Sequence, residues 1–255
     1  MKILKIKTFD GFTIEATLNY ATKKKRNVNV LLIHGIFSTK EESGRFLRLE
    51  NKLLNLGFNV VKYDHRGHGA NPIPSEKMRV CDTVTDLCYI IKELRKIKGE
   101  LYIIASSYGA SILLLGYQLL EFPKVEKIVM LNPVVDYYTT FIKPIGNQIK
   151  QIFNEEKLKN LRKIGRFNAI NNIIISISFY NELQLLKPYL GIEKIQAPLI
   201  VIHGSNDTAV SYDICKNYFT KFKKIQFITI EGANHAFNEQ KYERQAHNRI
   251  IEFIT

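Results

Sequence analysis

Short apolar runs alternate with amphipathic stretches along most of this chain, and the alternation limits the folds that the sequence can adopt. The apolar runs are four to six residues long and rich in Val, Ile and Leu, which is typical of buried strands. They cover residues 28–33, 58–63, 101–105, 128–131, 199–202 and 225–230. Strands that alternate with helices predict an α/β fold, with a mostly parallel central sheet and helices on both faces.

The stretches between the strands carry helix signals. Ser38 and Glu41 stand three apart and predict a capping box at the start of the first helix. Gly57 predicts the end of that helix. Further helices are expected over 84–94, after residue 107, near 211–222 and near 239–253. An antiparallel hairpin with Asp10-Gly11 at its turn is expected before the first of these units.

Residues 134–190 interrupt the alternation. This segment is rich in aromatic, basic and amide side chains, and it is too long for a simple crossover between two strands. We expect a small helical insertion here, between two parts of one core, residues 1–133 and 191–255. Because ligands of open α/β sheets bind beyond the carboxyl ends of the strands, we interpret the insertion as a lid over a pocket. An ordinary packed helical layer is the alternative.

The cysteine pattern indicates a reducing compartment. Three cysteines, Cys81, Cys88 and Cys215, are odd in number and lack the paired spacing of metal ligands. They are interpreted as free thiols in the cytosol. Cys81 and Cys88 stand seven apart on one predicted helix and are expected to pack in the core. Residues 1–7 alternate charged and apolar side chains, so no secretory signal is expected, and no apolar stretch is long enough for a membrane span.

The net charge of +13 raises the question of a nucleic-acid partner. Lysines and arginines are scattered along the chain, and the one short cluster, residues 23–26, is predicted to be a solvated turn. Interleaved aromatic residues for base stacking are missing. We therefore expect no nucleic-acid partner, and a basic surface that attracts acidic ligands or an acidic acyl carrier.

One candidate nucleophile follows the strand at 101–105. In Ala105-Ser106-Ser107-Tyr108-Gly109 a serine stands where a strand turns into a helix, and such a sharp turn needs small residues two positions before and after it. Ala105 and Gly109 meet this need for Ser107, whereas the corresponding neighbours of Ser106 are bulky. A helix N-cap serine is the alternative for this segment taken alone.

Two further segments follow strands in the same way. Asp207 comes soon after the strand at 199–202, and His235 follows the strand that ends at residue 230. A serine hydroxyl needs a base such as histidine to take its proton, and the histidine needs a carboxylate to orient it. The chain order Ser, Asp, His is that of α/β-hydrolases. The combination predicts a catalytic triad.

Attack on a carbonyl also creates an oxyanion, which needs backbone N–H donors. The predicted donors are the amides of Tyr108, directly after the nucleophile, and of Ile36, in the loop after the first parallel strand. The preceding His34-Gly35 is interpreted as a supporting turn, because no second metal ligand stands at a fitting spacing from His34. Gly109 supports the site in the same manner. No metal and no cofactor are expected.

These motifs together resemble the α/β-hydrolase superfamily along nearly the whole chain, and within it the group of monoglyceride lipases and cinnamoyl (feruloyl) esterases. The resemblance rests on residues 34–36, 63–69, 105–109, 203–207 and 232–235. It implies an acyl-enzyme mechanism without a cofactor, with Ser107 as nucleophile, His235 as base and Asp207 as the orienting acid. Ala105 departs from the glycine usual in the family, and a similar Ala-x-Ser turn occurs in bacterial acyl-carrier-protein thioesterases.

Three hypotheses about function follow. The first is a serine esterase, which cleaves small to medium carboxylic esters. The second is a thioesterase that acts on acyl-carrier-protein or coenzyme A thioesters, which the basic charge favours. The third belongs to another class: a catalytically silent hydrolase fold used for binding, against which the complete triad argues.

Overall fold

A computed structural model describes residues 1–21 and 26–255. The predicted turn at 23–26 therefore lies, except for Arg26, outside the described residues. The strands are β1 (Lys2–Lys7), β2 (Thr13–Asn19), β3 (Val28–Ile33), β4 (Asn59–Tyr63), β5 (Glu100–Ser106), β6 (Lys127–Leu131), β7 (Arg166–Asn168), β8 (Ile174–Ser176), β9 (Leu199–Gly204) and β10 (Ile225–Ile230). The helices are α1 (Arg45–Asn55), α2 (Val80–Leu94), α3 (Tyr108–Leu119), α4 (Asn147–Ile152), α5 (Glu155–Ile164), α6 (Ile177–Leu185), α7 (Tyr212–Phe219) and α8 (Gln240–Ile254).

Eight strands form one sheet in the order β1-β2-β4-β3-β5-β6-β9-β10. The six strands from β4 to β10 in this order are parallel, whereas β2 pairs antiparallel with β1 on one side and with β4 on the other. Parallel strands covered on both faces are apolar throughout, and all six residues of β3 are buried. This architecture confirms the predicted α/β-hydrolase fold.

Alternate residues of the central strands enter two separate cores. One core joins Leu31 of β3 to side chains of α2, α3 and α7, and the other joins Leu32 to side chains of α1 and α8. Because successive strand residues point to opposite faces, each strand contributes to both cores. The helices thus lie on both faces of the sheet, and the carboxyl ends of six parallel strands meet at one end of it.

The start of α1 differs from the prediction. Gly44, with φ +86°, occupies the N-cap position, and the capping box of Ser38 and Glu41 does not form. The reason is tertiary: the carboxylate of Glu41 accepts a hydrogen bond from the ammonium of Lys62 on β4, at 2.6 Å. The predicted end of the helix agrees, since Gly57 follows α1 with φ +93°.

Cys81 also differs from the prediction. Cys88 and Cys215 are buried, as predicted for Cys88, but Cys81 is exposed, so the expectation that it packs in the core is wrong. Seven residues fall about 20° short of two full helical turns. Cys88 already lies at the margin of the buried stripe of α2, and this rotation carries Cys81 beyond it.

The region 134–190 contains α4, α5 and α6, one π-helical turn (Tyr138–Ile142), and a 3₁₀ segment (Pro188–Lys194) that runs past it. It also contains the antiparallel hairpin of β7 and β8, which the sequence did not indicate. The tip of this hairpin contacts the core: the side-chain amide of Asn171 donates to the carbonyl oxygen of Phe37 at 2.7 Å. The described residues include no helix with the length and apolar character needed to span a membrane.

Candidate active site

Ser107 stands on the turn between β5 and α3 in a backbone conformation that is rare for a residue with a side chain. Its φ is 51° and its ψ is −117°. Such conformations cost about 1–3 kcal/mol and cluster at functional sites. The Ser107 N–H donates to the carbonyl oxygen of Leu131 on β6 at 2.8 Å, and the Ser107 carbonyl accepts from Ala110 at 3.1 Å. The sheet and the first turn of α3 together hold the strained residue.

The small residues around Ser107 are required by close packing. A Cβ on Gly109 would lie 2.6 Å from the carbonyl oxygen of His34 and 2.7 Å from that of Ile33, so a side chain cannot be accommodated. Ala105 is completely buried within β5. The rival serine, Ser106, points elsewhere: its hydroxyl accepts a hydrogen bond from the Arg45 guanidinium at 2.7 Å.

The two loops after β9 and β10 bring Asp207 and His235 to Ser107. The Nε2 atom of His235 lies 3.0 Å from the Ser107 hydroxyl oxygen, and its Nδ1 atom lies 2.6 Å from Oδ2 of Asp207. Since an ionised carboxylate only accepts hydrogen bonds, Nδ1 carries the proton and Nε2 is free to accept the serine proton. The three residues therefore have the order and spacing of a nucleophile, a base and an orienting acid.

The side chain of Asp207 is fully buried and accepts four hydrogen bonds. Its Oδ1 accepts from the backbone amides of Ala209 and Val210, both at 2.8 Å, while Oδ2 accepts from His235 and also from Nε2 of His203 at 3.1 Å. Burial acts to raise the pKa of the carboxyl, but the two histidines outweigh it and hold the pKa below its ordinary value. Asp207 is thus kept ionised in a buried site.

Asn132, at the end of β6, ties these loops together. Its side-chain oxygen accepts from the Gly204 amide at 2.9 Å, and its side-chain nitrogen donates to the carbonyl oxygen of His235. The sequence analysis assigned no role to Asn132 or to His203. The only signal for either was its place at the end of a strand, next to the motifs that were recognised.

The predicted oxyanion donors belong to two chain segments that lie next to Ser107. Tyr108 is the first residue of α3, where a backbone N–H has no acceptor within its own helix. Ile36 lies in the loop after β3 and lines the same cavity as Ser107 and His235. Gly35 directly precedes Ile36 in this loop. A Cβ on Gly35 would lie 3.1 Å from the Ser107 Cβ, so the loop passes directly beside the proposed nucleophile.

Three histidines lie behind this loop. The His65 amide donates to Nε2 of His34 at 3.0 Å, which places the His34 proton on Nδ1, and this atom donates to the Gly35 carbonyl at 2.8 Å. His65 in turn donates through Nε2 to the carbonyl oxygen of His34 at 3.0 Å. Burial lowers the pKa of His34, His65 and His68, so all three are neutral near pH 7. Among the residues that the structure describes, no cluster of side chains is suited to hold a metal ion.

A cavity of about 390 Å³ opens onto Ser107 and His235. One side is apolar and comes largely from the region 134–190 and from the loop that leads to α7. The apolar lining residues of these two segments are Val134, Phe141, Ile149, Ile152, Ile170, Ala209 and Val210, and the others are Ile36, Phe37, Ala236 and Phe237. The other side is polar and contains Glu42, Arg45, Arg48 and Glu243, which form two carboxylate–guanidinium pairs.

Comparison with known families agrees with this arrangement. A family model described as "Serine aminopeptidase, S33" matches residues 24–166, which is more than half of the chain. The chain belongs to this family of α/β-hydrolases. A second model, the prolyl oligopeptidase family, matches residues 128–255 of the hydrolase and so covers the segments that carry Asp207 and His235. No curated protein matches the sequence of this hydrolase.

Solved structures share the fold of this hydrolase at low sequence identity. Est1E from Butyrivibrio proteoclasticus, with ferulic acid bound, is 17% identical, with a TM-score of 0.78 over 98% of this chain and 97% of its own. A putative hydrolase from Agrobacterium vitis S4 is 15% identical, with a TM-score of 0.78 over 100% and 98%. An esterase from Pyrococcus furiosus is 18% identical, with a TM-score of 0.72 over 99% and 90%. The similarity in fold therefore extends over nearly the whole hydrolase, including the region 134–190.

Proposed function

We propose that this hydrolase is a carboxylesterase that works through an acyl-enzyme intermediate. The observation that carries the proposal is the relay from Ser107 through His235 to Asp207, with spacings of 3.0 and 2.6 Å, at the floor of a cavity with one apolar side. The apolar side suits the acyl chain or aromatic part of an ester, and the region 134–190 serves as the lid that covers it.

The proposed reaction has two halves. The Ser107 oxygen attacks the ester carbonyl carbon while Nε2 of His235 takes its proton, and the oxyanion is held by the amides of Tyr108 and Ile36. Collapse of this intermediate breaks the bond to the alcohol, which leaves with the proton from His235. Water then attacks the acyl group by the same route, and the carboxylic acid departs from a regenerated Ser107.

The charges around the cavity favour esters over peptides with a free amino terminus. An aminopeptidase needs an unpaired carboxylate to bind the substrate ammonium group. Among the described residues that line the cavity, the two carboxylates are Glu42 and Glu243, and each is paired with an arginine. An ester without a charged amino group fits this lining better.

A thioesterase is the second candidate, because the net charge of +13 would attract acidic acyl carriers and coenzyme A. The three free thiols agree with a location in the reducing cytosol, where such carriers are found. This candidate differs from the first in the leaving group and not in the roles of the three residues.

A substrate panel tests the proposal. The purified protein is assayed on p-nitrophenyl esters of two to twelve carbons, on aminoacyl p-nitroanilides and on acyl-coenzyme A, each with Ser107→Ala as the matched variant. We expect the esters to be the best substrates and Ser107→Ala to lower kcat roughly a million-fold. Faster, salt-sensitive turnover of acyl-coenzyme A would favour the thioesterase, and turnover that survives the substitution would overturn the mechanism.

A further inference from the structure

Two buried side chains of opposite charge lie beside Ser107 and take no part in the proposed relay. Glu42 and Arg45 form an ion pair in which each side chain is only 8% exposed. Both line the cavity, although neither contacts His235 or Asp207 through a hydrogen bond. A buried ion pair is not a reliable source of stability, because the desolvation of both charges offsets their attraction. Its position next to the nucleophile therefore suggests a role in the site.

The pair connects the two backbone segments that carry the proposed oxyanion donors. Oε1 of Glu42 accepts a hydrogen bond from the Gly35 amide at 2.7 Å, one residue before Ile36. Nη2 of Arg45 donates both to Glu42 and, at 2.7 Å, to the hydroxyl of Ser106, two residues before Tyr108. The chain of contacts thus runs from the loop after β3, through the two charges, to the turn after β5.

The backbone at Glu42 is held in an unfavourable conformation. Glu42 has φ 47° and Ser43 has φ 53°, both in the left-handed region, and Gly44 follows with φ 86°. Residues other than glycine, asparagine and aspartate rarely adopt this backbone conformation. The strained turn places the Glu42 carboxylate against Gly35, where a Cβ on the glycine would lie 3.2 Å from Oε1.

We propose that Glu42 and Arg45 are positioning residues that fix the separation and orientation of the two oxyanion donors. This inference rests on the proposed function, because it takes the amides of Ile36 and Tyr108 as the groups that receive the oxyanion. A fixed Gly35 amide aims the next peptide unit at the carbonyl oxygen of the substrate. Preorganised donors stabilise the transition state more than the bound substrate, so the pair acts on kcat and not on KM.

A similar pair, with side chains 34% and 17% exposed, lies at the opposite end of β5 and provides a control. There the carboxylate of Glu126 accepts from the Leu101 amide at 2.9 Å and pairs with the Arg95 guanidinium at 3.1 Å. This second pair also holds a strand end through a backbone amide, but it lies far from Ser107 along the strand. A purely structural role predicts the same consequences when either carboxylate is removed.

The experiment compares Glu42→Ala and Glu42→Gln with Glu126→Ala, using p-nitrophenyl butyrate. For each variant we measure thermal stability, kcat and KM, and the affinity for phenylboronic acid, which forms a tetrahedral adduct with an active serine, and for butyrate, which does not. Glu42→Ala is expected to lower kcat and boronic-acid affinity by roughly 10- to 100-fold while KM and butyrate affinity change less than about twofold. Glu42→Gln keeps an acceptor for Gly35 and is expected to restore most of the loss. Glu126→Ala is expected to lower stability alone.

Two results would overturn the inference. One is a folded Glu42→Ala variant with the kcat and boronic-acid affinity of Glu126→Ala. The other is a variant whose KM rises while its kcat is unchanged. If Glu42→Ala does not fold, Arg45→Met gives the same test, because the thioether keeps much of the side-chain volume but cannot donate a hydrogen bond to Glu42 or Ser106. An unchanged kcat in that variant also contradicts the role. Failure of the proposed function is recognised separately, since the unmodified protein would then neither turn over esters nor bind the boronic acid.

Discussion

The two ends of the parallel sheet use left-handed backbone in different ways. At the amino end, the described positions with positive φ are Asn27, at 56°, Gly57, at 93°, and Gly99, at 123°. At the carboxyl end they include Phe37, at 64°, Ser107, at 51°, and residues of the loops around them. Glycine and asparagine adopt this region at little cost, whereas serine and phenylalanine do not. Strained backbone is therefore concentrated at the carboxyl end of the sheet, next to the cavity.

The histidines are likewise concentrated at the carboxyl end of the sheet. Five of the six histidines follow or end a parallel strand at its carboxyl end: His34, His65, His68, His203 and His235. Burial of His34, His65 and His68 and the left-handed conformation of Ser107 both act against stability, and both are found at this end of the sheet. The amino end of the sheet thus has few features that lower the stability of the fold. The carboxyl end has several, and the proposed catalytic role of that end explains why they are present.

The largest effect is expected when the strain at Ser107 is relieved. Ser107→Gly removes the hydroxyl and the Cβ together, so kcat should fall roughly a million-fold. Because glycine tolerates the observed φ, the free energy of unfolding should rise by about 1 kcal/mol. Ester assays and urea unfolding measure the two changes.

Asn27→Gly is the matched variant at the amino end. Asparagine already tolerates the left-handed region, so stability should change by only about a few tenths of a kcal/mol, and kcat should be unaffected. A gain in stability at Asn27 as large as that at Ser107 would break the distinction between the two ends.

Acid should destabilise the protein through the carboxyl end. Burial lowers the pKa of His34, His65 and His68, whereas in the unfolded chain each binds a proton near pH 6.5. The unfolded state then binds more protons than the folded state, so the free energy of unfolding decreases as the pH falls below about 6.5. Each histidine contributes at most about 1.4 kcal/mol per pH unit, where it is protonated in the unfolded chain and neutral in the folded one.

Urea unfolding between pH 5 and pH 7.5 measures this slope. His68→Gln keeps a donor for the Arg66 carbonyl, which His68 contacts through Nδ1 at 3.0 Å, and it removes one titrating group. The slope should become smaller in this variant, by at most about 1.4 kcal/mol per pH unit. A free energy of unfolding that is constant over the range would contradict the contribution of the buried histidines.

A smaller effect is expected at His203, which shares the carboxylate of Asp207 with His235. His203→Phe keeps the contacts with Tyr212 and Phe227, whose rings lie 5.7 and 6.2 Å away, and it removes only the hydrogen bond. We expect kcat to fall roughly tenfold, because a hydrogen bond to a charged group contributes about 1.5–3 kcal/mol. Steady-state kinetics test this, with thermal unfolding to verify the fold. An unchanged kcat would leave Asp207 positioned by its backbone donors alone.

The fold was predictable because its central strands are buried on both faces. Such strands appear in the sequence as continuous apolar runs, and the predicted runs agree with β3, β5, β6 and β10 to within about two residues. The strands β7 and β8 have only three residues each, too few to show a period. The start of α1 was mispredicted because Glu41 bonds to Lys62, and nothing local to the helix indicates that contact.

The site was predictable only where a residue belongs to a short motif. Ser107, Asp207 and His235 each stand in a loop that follows a strand, and the structure brings the three together. Asn132 could not be found in this way, because it bonds to residues more than 70 positions away along the chain. Glu42 and Arg45 are only three residues apart, but the contact of Arg45 with Ser106 joins residues 61 positions apart, and no local pattern encodes it.

Labelling with a fluorophosphonate probe tests the central claim most directly. Such a probe modifies a serine only when its hydroxyl is activated, and mass spectrometry identifies the modified residue. We predict modification at Ser107, with loss of labelling when His235 is replaced by alanine and with Ser106 unmodified throughout. Absence of labelling in the folded protein, or labelling that persists without His235, would contradict an activated nucleophile at this position.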